Sequence, residues 1–163
     1  MTAHTPAPRR SADEQARLDA ALADLFQRRI VFNQTLGLQI ESARSPQPRI
    51  RLAMRPELVG NYFNGNLHGG VISATLDAMG GFALMVAIGE KHADESAPQV
   101  MQRFAKMSTI DLRVDYLRPG VGASFLASAE VMRLGGRIGS TQMRLVNDQG
   151  MLLATAAAAY VIS

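Results

Sequence analysis

The 163-residue chain contains no cysteine and no tryptophan, and aromatic side chains make up only 6% of it. Without thiols, disulfides, thiolate nucleophiles and cysteine-ligated metals are excluded. Their absence also fits a reducing compartment, so a cytoplasmic location is expected. The three histidines, His4, His68 and His92, are too scattered to form a metal cluster by local spacing, and no metal is expected. Cations exceed anions only slightly, with a formal net charge of +3, although the pI is about 9.8. No basic run or aromatic platform accompanies that charge, which argues against nucleic acid and leaves room for a phosphate-bearing ligand. The opening "MTAHTPAPRR" lacks the apolar core of a secretory signal. One apolar run, residues 69–89, is long enough to raise a membrane span. It carries Asp77 at its centre and several glycines, and well-patterned strands follow it. A buried central helix is the better reading, with no membrane contact.

Hydrophobic residues supply 47% of the chain and charged residues 19%, an ordinary soluble balance for one domain with a real core. Residues 1–10 read as a loose tail. Over 11–35, Ser11 and Glu14 have capping-box spacing, and Leu18, Leu22, Leu25 and Phe26 recur on one face. This predicts one amphipathic N-terminal helix, ended by Thr35 to Gly37. The domain proper, 36–163, begins with two strands near 36–44 and 49–55, separated by a Ser-Pro-Gln-Pro turn. A loop over 56–67 leads into the apolar helix from about His68 to Gly89. A short capped helix follows near 96–106.

Then "STIDLRVDYLRPG" alternates, with Ile110, Leu112, Val114 and Tyr116 predicted on one face. Strands at 122–134 and 138–147 are joined at Gly135 and Gly136, and a last strand at 151–162 follows "NDQG". Hairpin-linked strands with segregated helices mark an α+β class built on an antiparallel sheet. A helix apolar nearly all round must be wrapped on several sides, so a curved sheet around it is expected.

The chemistry concentrates in "NGNLHGGVISATLDAMGG", residues 64–81. An unpaired buried carboxylate is costly, so Asp77 needs a compensating partner. Gly69 and Gly70 stand at a helix start, where free N–H groups and the dipole favour negative charge and a carbonyl can approach closely. A developing oxyanion would be held there, while Asp77 attacks a carbonyl or takes a proton from water. His68 suits orienting the loop or the substrate better than acting as base. From Gly70 to Asp77 is roughly 10 Å along a helix, whereas one reacting carbon should lie about 3 Å from both groups. The two halves must therefore come from different copies, at a two-fold dimer interface. Arg133 and Arg137, flanking the Gly-Gly hairpin, are candidates for phosphate contacts. The plainer alternatives are a structural Asp77 bonded to Ser73 or Thr109, and Gly80 and Gly81 as close-packing positions where strands cross the helix.

The run "GNLHGGVISATLDAMGG" with "STIDLRVDYLRPG" resembles the hot-dog-fold acyl-CoA thioesterases of the phenylacetate-pathway (PaaI-like) type. Gly65, His68, Gly69, Gly70 and Asp77 fit the helix motif, and Asp111, Tyr116 and Pro119 fit the strand signature. The resemblance implies a sheet wrapped around a central helix, with dimers formed through edge strands and often paired into tetramers. It also implies hydrolysis of an acyl-CoA thioester, with CoA as part of the substrate and no separate cofactor. By the same resemblance Asp77 is nucleophile or general base, the amide of Gly70 or its neighbour polarises the carbonyl, and Thr109 assists. Many relatives carry an asparagine six residues before the histidine, where this chain has Tyr62; Asn61 and Asn64 are the nearby amides. The competing functions are a hot-dog acyl-thioester dehydratase or hydratase, and a non-catalytic acyl-CoA sensor.

Overall fold

A computed structural model describes residues 9–44 and 46–163. Most of the expected tail and Ser45 of the expected turn lie outside the described residues. Arg10 is tied down: its guanidinium donates to the carbonyls of Gly89, His92 and Glu95, and its N–H to that of Ala93. Helix α1 (Ala12–Asp24) starts on Ser11, whose Oγ accepts the Glu14 N–H at 3.2 Å. The return bond of a capping box is absent. Glu14 Oε1 instead accepts the Ala97 N–H at 2.7 Å, joining the N-terminal layer to the start of a later helix.

The single helix expected over 11–35 is broken. Leu25–Arg29 forms a wider π-helical turn, Ile30 is extended, and α2 (Val31–Leu36) follows, closed by Gly37 at φ 75°. In the wide turn Ile30 N–H reaches back to the Leu25 carbonyl at 3.0 Å, which leaves the Phe26 carbonyl free. Buried Asn33 donates to it from Nδ2 at 3.0 Å. Neither a proline nor a glycine marks this break in the sequence.

The main sheet is antiparallel in the order β1 (Gln39–Ser42), β2 (Arg49–Ala53), β6 (Ser124–Leu134), β7 (Ile138–Asn147), β8 (Leu152–Val161), β5 (Ser108–Tyr116). A small hairpin of β3 (Val59–Asn61) and β4 (Asn66–Leu67) stands before the long helix α3 (Gly69–Lys91), and α4 (Ala97–Arg103) follows it. By length and composition α3 could cross a bilayer. Here it packs against β2, β5, β6, β7 and β8, with Leu76, Met79, Phe82 and Leu84 fully buried. The hot-dog arrangement expected from the resemblance is present: a sheet around one apolar helix, with an N-terminal helical layer on the side.

The alternation expected along β5 fails at one residue. Thr109 pairs with Tyr160 and Asp111 with Ala159, so Ile110 bulges outward and is 55% exposed. The extra residue brings Thr109 onto the inner face together with Leu112, Val114 and Tyr116, whose partners on β8 are buried alanines. Among the described residues strand β5 has a neighbour only on its β8 side, which leaves its other edge open there.

Candidate active site

His68 caps α3. Its Nδ1 accepts the Gly70 N–H at 2.8 Å, and its carbonyl accepts from Val71 and Ile72. An accepting Nδ1 leaves the ring proton of neutral His68 on Nε2. The histidine is itself fixed, since its N–H donates to the Leu58 carbonyl at 2.8 Å and β3 passes against it. A Cβ on Gly60 would come within 2.6 Å of His68 Cα, so that approach requires glycine. Gly70, the expected donor to a substrate carbonyl, is thus engaged as long as the His68 ring keeps this position. The Gly69 N–H has no acceptor among the described residues. Its carbonyl accepts the Tyr116 hydroxyl at 3.0 Å, which ties the helix start to the far end of β5. An open cleft of about 560 Å³ borders Asn61, His68, Gly69 and Tyr116.

Asp77 lies two turns further along α3 and is half-buried. Thr109 Oγ1 donates to its Oδ1 at 2.9 Å, while Ser73 donates to the Gly70 carbonyl instead. The second carboxylate oxygen has no hydrogen bond among the described residues, and the side chain borders a cleft. The Asp77 backbone carbonyl accepts the hydroxyl of Tyr160, a residue only 3% exposed, at 2.9 Å. Burial, reinforced by the negative charge of Asp77, holds the Tyr160 phenol well above the ordinary tyrosine range. It stays a neutral donor.

The cleft beside Asp77 encloses about 270 Å³ and is largely apolar. Ala74, Ala78 and Gly81 of α3 form its floor, Met85 stands further along, and Ile30 and Phe32 of the N-terminal layer form a wall. Phe26 and Phe82 also line the cleft and pack on each other, with ring centroids 4.8 Å apart. The two adjacent glycines of α3 differ. A Cβ on Gly80 would overlap the Tyr160 hydroxyl and lie 2.7 Å from Thr141 Oγ1, so Gly80 is the close-packing position expected. A Cβ on Gly81 would meet only Tyr160 Cε1, at 3.8 Å. Its expected packing role is not found, although an interior helical glycine costs roughly 1 kcal/mol against alanine.

The remaining sequence candidates divide. Asn61 borders the helix-start cleft, with Oδ1 accepting the Phe63 N–H at 3.0 Å. Asn64 and Tyr62 are exposed on the hairpin tip, where the Tyr62 ring packs on Phe63. Arg133 and Arg137 are exposed at the β6–β7 hairpin and border neither cleft. Sequence reasoning missed Tyr160 as the holder of the Asp77 turn and residues 26–33 as a cleft wall. Tyr160 could have been singled out as the one bulky polar side chain in the alanine-rich last strand.

Comparison with known proteins agrees with this fold. The family described as the thioesterase superfamily matches residues 64–154. A medium/long-chain acyl-CoA thioesterase, YigI, from Escherichia coli K12 is 33% identical over 141 residues, covering 86% of this chain and 91% of the relative. A crystal structure from Shewanella oneidensis, described as related to the thioesterase superfamily, superposes with a TM-score of 0.86 at 34% identity, covering 94% of this chain and 100% of that one. The E. coli PaaI protein of the phenylacetic acid degradation operon shares the fold, with a TM-score of 0.68 at 18% identity, covering 90% of this chain and 94% of PaaI.

Proposed function

The chain belongs to the thioesterase superfamily, and on that premise we propose that it is an acyl-CoA thioesterase whose site is shared between two copies of the chain. One observation carries the reading. A half-buried carboxylate, Asp77, is held by Thr109 at 2.9 Å with its other oxygen unbonded beside an apolar cleft. Asp77 acts there as general base toward water or as direct nucleophile toward the thioester carbon. The Gly69 N–H, unbonded and at the positive end of α3, takes the oxyanion that forms, and Gly70 joins it if the His68 ring turns away. Collapse of the tetrahedral species breaks the C–S bond and releases CoA, which takes up a proton as the free thiol. Where Asp77 is the nucleophile, water then cleaves the acyl–Asp77 anhydride, freeing the acid and restoring the carboxylate.

Within one chain the two groups stand eight residues apart, roughly 12 Å along the helix, too far to act on one carbon. Strand β5 supplies the means to bring them together. Thr109, at its start, touches Asp77, and Tyr116, at its end, touches Gly69. Both lie on the inner face because of the Ile110 bulge. A second β5 laid antiparallel along the open edge and centred on Arg113 sets Thr109 of one copy opposite Tyr116 of the other. Asp77 of each copy then faces the Gly69 amide of its mate, in two equivalent sites.

The test is free-thiol release from a panel of acyl-CoAs. Asp77→Asn should lower turnover by about 10²–10⁴-fold, the usual worth of a positioned acid–base group, while acyl-CoA still binds. Unchanged turnover would reject the site. Addition of water to an enoyl-CoA without thiol release would favour the hydratase reading, and binding without turnover a sensor.

A further inference from the structure

Gly81 keeps space that no part of the described chain fills. The space is continuous with the Asp77 carboxylate, because both border the same cleft of about 270 Å³. Ala74, Ala78, Gly81 and Met85 follow one another at helical spacing along that cleft, so its floor is level until the Met85 side chain rises. The opposite wall depends on the break in the N-terminal layer. The π-helical turn and extended Ile30 precede α2, and Ile30 and Phe32 on either side of that junction face the cleft.

Resting on the assignment of Asp77 to hydrolysis, we propose that this cleft seats the acyl chain and that Gly81 and Met85 set the chain length accepted. Asp77 to Met85 spans eight residues, roughly 12 Å at the helical rise. An extended alkyl chain advances about 1.3 Å per carbon–carbon bond, so roughly nine bonds run from the reacting carbon to Met85. The favoured substrate is therefore a medium-chain acyl-CoA of about ten carbons, with Met85 as the stop. Gly81, only one turn from Asp77, has to be bare for anything longer than about five carbons to enter.

The experiment compares kcat/KM for butyryl-, decanoyl- and palmitoyl-CoA in the full chain and two variants, reading free thiol. Each methylene denied its apolar place costs about fourfold, and Gly81→Leu displaces three or more. The decanoyl-to-butyryl ratio should fall by roughly 50-fold or more. Met85→Ala lowers the stop and should raise the palmitoyl-to-decanoyl ratio by about tenfold. Should Gly81→Leu fail to fold, Met85→Ala still decides. Parallel changes for all three substrates, or unchanged ratios in folded variants, overturn the assignment. So does a shift in oligomeric state with the ratios unchanged, since the cleft would then hold a segment of a second copy. If even the wild-type chain releases no thiol, hydrolysis fails as the function. The cleft is then judged by affinity: decanoyl-CoA binding that Gly81→Leu weakens more than butyryl-CoA binding upholds it, and equal weakening rejects it.

Discussion

A shared site makes a quantitative demand that a site within one chain does not. Consider Gly69→Pro. Proline suits the first position of a helix, because the N–H it lacks has no partner within the helix. His68, the residue before it, has φ −63° and ψ 137°, the extended geometry that a following proline favours. A Cβ at position 69 would approach the Tyr116 ring no closer than 3.5 Å, an ordinary contact. The substitution therefore deletes one unbonded donor and little else. Stability should hold or rise, while kcat falls by about 10²–10³-fold, the usual worth of an oxyanion donor.

Asp77→Asn disables the other half. Equal amounts of the two variants, unfolded and refolded together, form mixed dimers in about half of all pairings. Each mixed dimer holds one site with both working halves and one with neither, so thiol release recovers to about a quarter of the wild-type rate. Each variant refolded alone stays inactive. If the mixture is no more active than its parents although mixed dimers are present by native mass spectrometry, each chain supplies both groups itself and the two-copy site is refuted.

Three further outcomes are expected. Gly80→Ala forces a methyl group against Tyr160 and Thr141 and should cost about 1–3 kcal/mol in urea unfolding, whereas Gly81→Ala meets only a 3.8 Å contact and should gain about 0.5–1 kcal/mol. Asn33→Leu leaves the Phe26 carbonyl buried without its donor and should cost about 1–3 kcal/mol, read as a lower Tm. The Tyr160 phenol, raised in the folded chain by burial and by Asp77, keeps its proton where the unfolded chain loses it. Its contribution is therefore complete below about pH 10 and declines above it, by up to about 1.4 kcal/mol per pH unit. Urea midpoints measured from pH 9 to 11 should fall more steeply for the wild-type chain than for Tyr160→Phe, and equal slopes would count against the burial argument.

How much of this was legible in the sequence depends on whether the cause was local. The start of α3 near His68, the capped helix start at Ser96 and the turns at Gly135–Gly136 and Asn147–Gly150 are set by neighbouring residues, and all form where expected. Asp77 stood out for a comparable reason: a carboxylate in an apolar helix is conspicuous without knowledge of its surroundings. The Ile110 bulge was hidden, because "STIDLRVDY" alternates without interruption and only its pairing with β8 shows the extra residue. The break after Asp24 was hidden too. "LFQRRIVFNQ" continues a plausible helical pattern, and what opens it is a buried asparagine seven residues away in sequence and the packing of Phe26 on Phe82. The cleft wall followed from that break, so it could not be anticipated either.

Three glycines in one apolar helix can be separated by asking what would occupy the place of a Cβ. At Gly69 there is room, and what matters is the amide that has no acceptor among the described residues. At Gly80 the chain itself fills the place, with the two hydroxyls of Tyr160 and Thr141. At Gly81 nothing in the described chain fills it, beside the Asp77 carboxylate that borders the same cleft. If α3 were merely a core helix, substitutions at the three positions would change activity only as far as they change stability. The assigned roles require the two to come apart: Gly69→Pro holds stability and loses turnover, Gly80→Ala loses stability first, and Gly81→Ala gains stability while turning the enzyme toward shorter chains. A common line through stability and activity for all three would mean that the helix carries packing alone, and Asp77 would then need another explanation.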